Sequence, residues 1–407
     1  MIAYISPVKT KPVSATKKSK RIESIDLLRG FIMIIMLIDH VRGYFHRDAF
    51  LYSPTDLSQT STPIFFTRWI THFCAPVFVF LAGISAYLYG AGKTRKALSA
   101  FLLTRGIWLI FAECIIVSLE WSFNPSYPFF NLQVIWAIGV SMVVLSALVY
   151  LTRRAILLIG IVLVAGHNLL DGIHVGGSGP LSFLWAVLHD PNEFTFGQFS
   201  VFVHYPVLAW IGIMTLGYCT GSLYVHNANP GKRRGLLLIA GFAAITLFIV
   251  LRLGNVYGDA AHWSQQKNLF FSFLSFLNVT KYPPSLLYTL MTLGPALIFL
   301  SLAENPLPAW TGRVIILGKV PMFYYLLHIF LVHLLAVFAA VISGYHWQDM
   351  ILTNRVNRAP ELKGYGFSLT TVYLVWMACL LILYPCCKWF SRYKTAHSAE
   401  HWWLKYL

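Results

Sequence analysis

The stretch SIDLLRGFIMIIMLIDH, residues 24–40, carries an arginine near one end and an acid–histidine pair at the other. Nine uncharged residues separate Arg29 from Asp39. On a helix, eleven residues make three turns plus about 20°, so Arg29 and His40 share one stripe, about 16 Å apart along the axis. Asp26 precedes Arg29 by three residues, within pairing reach. Ionisable groups inside an apolar span face protein or a water-filled cavity rather than lipid. Alone, Arg29 reads as an interfacial anchor and His40 as a helix-packing group. Together with Asp26 on one stripe they describe a lined cavity, with a cation at one end and a proton-transferring imidazole at the other.

Other residues extend this constellation. Neighbours on a helix point about 100° apart, so Asp39 does not orient His40 and instead meets Arg42 or Arg68. Glu113 and Glu120, seven residues apart on one helix face, are the carboxylates able to orient His40. His72 in THFCAP enters from the opposite direction and is the second candidate histidine. Tyr324 and His328 are four apart and share a face. Lys319 and Arg105 lie level with Arg29. His204 and Tyr205 open a later helix at the level of His40. The KYPPS segment, 281–285, reads as a helix start with no catalytic role.

Composition says what must position these groups. Of 407 residues, 57% are hydrophobic and 11% charged. Continuous apolar runs long enough to cross a bilayer imply an all-α integral membrane protein. Ten spans are expected, at roughly 25–45, 63–90, 101–120, 131–150, 155–170, 201–224, 235–252, 283–302, 320–342 and 369–388. A basic tail, 1–21, precedes the membrane domain, 22–390, and a tail, 391–407, follows it. Most of the 31 Lys and Arg fall in alternate connections and both tails, whereas Asp48, Asp56, Asp171, Asp190 and Glu193 fall in the others. That alternation places both termini in the cytoplasm. It also explains the formal charge of +16 without nucleic acid. The segment 171–197 is long enough to cap an outward opening. The six cysteines show neither a metal-ligand nor a disulfide spacing, and no metal is expected.

The arginine, ten residues and a histidine at the end of the first helix resemble the signature of the transmembrane acyltransferase superfamily. RIESIDLLRGFIMIIMLIDHVRGYF, FFTRWITHFCAPVFVFLAGISAYLYG, FLLTRGIWLIFAE, HYPVLAWIGIMTLGY, VTKYPPSLLYTLMTLGPAL and LGKVPMFYYLLHIFLVH are similar to the heparan-α-glucosaminide N-acetyltransferase branch, in its bacterial form. The resemblance implies a multi-pass inner-membrane enzyme. It would move an acetyl group from cytoplasmic acetyl-CoA to a hydroxyl or amine, of a sugar or glycan, at the periplasmic side. Arg29, with Asp26, Arg105 and Lys319, would hold the cofactor's phosphates, to which arginine's planar fork is suited. His40 would be the base, with Asp39, His72 and Glu113 as further catalytic candidates. His46, Arg68, His204, Tyr205, Tyr324 and His328 would face the acceptor. In the lysosomal branch an asparagine stands in the place of His40 and the proposed catalytic histidine lies in the following loop. His46 is the nearest loop histidine here, so the base is open between the two. The same residue types also suit a transporter of a small solute or ion. Paired histidines, His40 with His72 or His328 with His333, suit a haem-b electron carrier. The sequence leaves the oligomeric state open.

Overall fold

The computed structural model describes residues 22–225, 229–398 and 400–407; the basic tail, 1–21, lies outside them. The chain is mostly helical. Helix α1 (Glu23–Phe45) has Glu23 and Asp26 in its first turn and Arg42 in its last, as the helix dipole favours. A run from α2 (Thr62–Ile70) through a 3₁₀ turn, Thr71–Phe73, to α3 (Cys74–Gly90) follows. Next come α4 (Arg95–Ala112), a π-turn, Glu113–Val117, and α5 (Ser118–Ser122). Strand β1 (Phe129–Leu132), α6 (Val134–Leu148), α7 (Arg153–Gly166) and α8 (Pro180–Leu188) lead to β2 (Glu193–Phe196) and β3 (Phe199–Val203). The rest comprises α9 (Val207–Gly221), α10 (Pro230–Gly254), α11 (Leu269–Leu277), α12 (Leu286–Leu302), α13 (Thr311–Gly318), α14 (Pro321–Ile342) and α15 (Leu369–His397).

Among the described residues, seven helices or helix runs are long and apolar enough to cross a membrane: Thr62–Gly90, Arg95–Ser122, Arg153–Leu170, Val207–Tyr224, Pro230–Gly254, Pro321–Ile342 and Leu369–His397. This is a multi-pass membrane protein. The other three expected spans coincide with α1, α6 and α12. Helix α1 interrupts its apolar run with Asp26, Arg29, Asp39 and Arg42, and α6 and α12 have only 15 and 17 residues. The sixth expected span starts later, because 201–203 belong to a strand. The last helix runs nine residues past its expected end, and Lys394 Nζ donates to the backbone oxygen of Leu407 at 2.5 Å.

Three features position the site. Helix α1 packs against α3, α13, α14 and α15 and sits in the middle of the bundle. Gly318 lets α13 close onto it, since a Cβ there would overlap the Asp26 carbonyl oxygen. Finally, the strands form a small sheet in the order β1-β3-β2, β1 parallel and β2 antiparallel to β3. This sheet delivers Asn131, His204 and Tyr205 to the end of the bundle where α1 finishes.

Candidate active site

Two cavities lie toward opposite ends of α1 and share four lining side chains. The first, about 470 Å³, is lined by Arg29, Arg105, Lys319 and Lys394 among apolar side chains such as Phe101 and Ile138. The second, about 650 Å³, is lined by Asp39, His40, Arg68, His204, Tyr205 and Trp121, with further cations. Met36, Phe78, Val134 and Tyr325 line both and stand between them, a boundary referred to below as the neck. The expected stripe therefore exists: Arg29 opens into one cavity and His40 into the other, on one helix.

The Arg29 end is built by three elements. The guanidinium donates to Asp26 Oδ1 at 2.9 Å, to the Gly318 carbonyl at 3.0 Å and to Ser85 Oγ at 3.0 Å. Asp26 is buried and does not line the cavity. It holds Arg29 from behind the cavity wall, whereas the sequence placed it beside Arg29 among the cofactor-binding candidates. Arg105 and Lys319 line the cavity as expected. Lys394 joins them because α15 outruns its expected end.

At the other end, His40 Nδ1 lies 2.7 Å from His328 Nε2, and the two rings are within 18° of parallel with centroids 4.8 Å apart. His328 Nδ1 lies 3.0 Å from the Tyr324 carbonyl. A carbonyl only accepts, so His328 Nδ1 carries the hydrogen and its neutral ring accepts at Nε2. His40 must then donate from Nδ1, which leaves its Nε2 as a lone pair on a residue that lines the cavity. The tautomer follows from the chain of bonds, and it leaves His40 with an acceptor nitrogen.

The expected orienter is different. Glu113 is buried in the π-turn, which rotates it out of the α-helical phase shared with Glu120. Its Oε2 accepts the Trp136 amide at 3.0 Å, so it holds the start of α6 and forms no bond with His40. Asp39 likewise does not touch His40. It pairs with Arg42 at 3.0 Å and with Arg68, the two partners expected of it.

Four further candidates line neither cavity. His72 is buried in the 3₁₀ turn, whose tighter winding moves it off the cavity face. Its carbonyl accepts the Tyr288 hydroxyl at 2.7 Å, and its ring packs on Tyr288. His46 caps α1 in an extended conformation and is buried away from both cavities. Tyr324 turns toward α1, donating to the Met33 carbonyl at 3.2 Å, and its neighbour Tyr325 takes the neck. His328 is fully buried behind His40 rather than facing a ligand. Of the two histidine pairs considered for haem, His328 and His333 have hydrogen-bond partners at both ring nitrogens, His333 at the Glu120 and Met350 carbonyls at 2.8 and 2.9 Å.

Residues with no expected role complete the His40 cavity. Lys281 and Tyr282 come from the segment before α12, and Arg355 and Arg358 from the loop before α15. Tyr205 and Tyr282 bring their hydroxyls within 3.4 Å. Glu193 of β2 ties down Arg355 and Arg358 at 3.2 and 2.9 Å. Burial, with Lys281, Arg68 and Arg355 nearby, holds the His204 imidazole well below its usual range, so it stands neutral. Trp121 packs edge-on against His40, centroids 5.1 Å apart.

The chain is thus a helical membrane protein with two cation-bearing cavities toward opposite ends of α1. The family signature described as heparan-alpha-glucosaminide N-acetyltransferase, catalytic, matches residues 21–252, and the chain belongs to that family. No curated protein matches it. The matched region contains Arg29, His40, Arg68, His204 and Tyr205; Lys281, Lys319, Tyr325 and His328 lie beyond it.

Proposed function

We propose that the protein transfers an acetyl group from cytoplasmic acetyl-CoA to a hydroxyl or amine, of a sugar or glycan, on the periplasmic side of a bacterial inner membrane, through ten spans with both termini cytoplasmic. The observation that carries this reading is the neck. Arg29, with Arg105, Lys319 and Lys394, offers phosphate-binding cations on one side of it, and His40 offers a base on the other. The thioester carbonyl would lie at the neck. The acceptor's hydroxyl or amine would give its proton to His40 Nε2 as its oxygen or nitrogen bonds to the carbonyl carbon. As the tetrahedral intermediate collapses, the C–S bond breaks and the proton passes from His40 to the leaving thiolate. Developing positive charge on His40 is shared with His328 through the 2.7 Å contact. The cations around the second cavity favour an acceptor that itself carries an anionic group.

The test is transfer by purified protein from labelled acetyl-CoA to a panel of amino and neutral sugars, together with sugar acids and sugar phosphates. Transfer that disappears in His40→Ala, with Arg29→Ala raising the KM for acetyl-CoA, is the expected result. Normal transfer by both variants removes the assignment. Two cavities sharing a wall of four side chains also suit a gated solute pathway, a second reading that predicts uptake into vesicles without any CoA.

A further inference from the structure

A third cavity, about 900 Å³, lies between the end of α3 and the starts of α4 and α7, beside the end of α9. No part of the transfer chemistry uses it. Its floor is apolar and buried: Leu98, Val149, Ile156 and Tyr218. Its rim is exposed and cationic: Lys93, Arg95, Arg153 and Arg154. No acidic side chain among the described residues lines it.

The placement of those cations is costly as it stands. Helix α4 opens with Arg95 and Lys96, α7 with Arg153 and Arg154, and neither has an acid in its first turn. A helix start favours negative charge, so two adjacent starts repel the cations they carry until an anion lies between them. The cavity supplies the room. Its rim continues onto the exposed apolar face of α7, where Leu157, Leu158, Ile161 and Val162 stand open. A soluble anion would use the rim alone. A phospholipid uses the rim for its phosphate, and the floor and the α7 face for its chains.

We infer that this cavity is a binding site for an anionic phospholipid, its phosphate held by Lys93, Arg95, Arg153 and Arg154 and an acyl chain laid along α7. The assignment is independent of the acetyl-transfer reading.

The experiment is native mass spectrometry of delipidated, detergent-solubilised full-length protein titrated with phosphatidylglycerol, with phosphatidylcholine and inorganic phosphate as parallel arms. Wild type is expected to retain phosphatidylglycerol in preference to phosphatidylcholine. Lys93→Gln/Arg154→Gln should weaken retention roughly thirtyfold, two surface cations being removed. Arg95→Gln/Arg153→Gln takes one cation from each helix start and should do at least as much. Because Arg95 also donates to the Tyr150 carbonyl at 2.6 Å, the first pair stands as the test if the second fails to fold. Lys232→Gln/Arg313→Gln removes two exposed cations outside the cavity and away from both helix starts, and should leave retention intact. Equal retention of both lipids overturns the inference, as does equal loss in the control pair. Displacement of phosphatidylglycerol by inorganic phosphate at equal concentration also overturns it, by making the site one for a soluble anion.

Discussion

At the scale of single residues, the proposed transfer rests on which nitrogen of His40 is free. The chain from the Tyr324 carbonyl through His328 decides it. Loss of the base in His40→Ala should reduce kcat by about 10²–10⁴-fold. His328→Ala acts one step back: it should lower kcat with little change in the KM for acetyl-CoA, and imidazole added to the assay should not restore it. A His328→Ala enzyme with wild-type kcat would mean that His40 takes its orientation from elsewhere. The two residues differ sharply in legibility. Arg29, Asp26, His40 and the Asp39–Arg42 pair could be placed from helical spacing, because each contact lies within one helix. His328 sits 288 positions from His40, and nothing in either neighbourhood announces the other. Spacing favoured Tyr324, which shares a face with His328, but that face turns toward α1 and the cavities are lined by Tyr325 instead.

At the scale of elements, the cation end depends on α13 lying close against α1. Gly318 permits the approach and gives its carbonyl to Arg29. In Gly318→Ala the added methyl must push the helices apart, costing about 1–3 kcal/mol as overpacking does. A thermal melt should show that loss, and the KM for acetyl-CoA should rise while kcat is kept. A shifted melt with unchanged KM would separate the packing from the site. Asp39 does comparable work at the other end, where two helices and two arginines meet on one carboxylate. Asp39→Asn leaves both guanidiniums without their counter-charge and should destabilise by about 3–5 kcal/mol, read as a lowered midpoint in denaturant. The positions of most helices were legible from apolar runs. The 3₁₀ turn at Thr71–Phe73 and the π-turn at Glu113–Val117 were not, because the same residues would fit an unbroken α-helix. Those two irregularities are what move His72 and Glu113 away from their expected places.

At the scale of the whole molecule, charge sorts the two cavities by ligand. Both carry cations, yet they are assembled differently. The Arg29 cavity draws Arg29, Arg105, Lys319 and Lys394 from helices or helix ends, whereas the His40 cavity takes Lys281, Arg355 and Arg358 from connections. The first set was largely visible in sequence, because a cation at a helix end has a fixed depth. The second was not, because a loop's path over the bundle is set by what it lands on. Lys281 is buried against Tyr282 beside the Asp39–Arg68 pair. Counting one carboxylate, Asp39, against Arg42, Arg68 and Lys281, this side of the cavity is left with excess positive charge. An acceptor bearing a carboxylate or phosphate should therefore react with a lower KM than its neutral counterpart. Lys281→Gln should remove roughly tenfold of that advantage, the worth of one charge-assisted hydrogen bond, while leaving kcat on the neutral acceptor unchanged. If the neutral and anionic acceptors keep the same ratio of KM values in Lys281→Gln, the cation serves the loop and not the ligand.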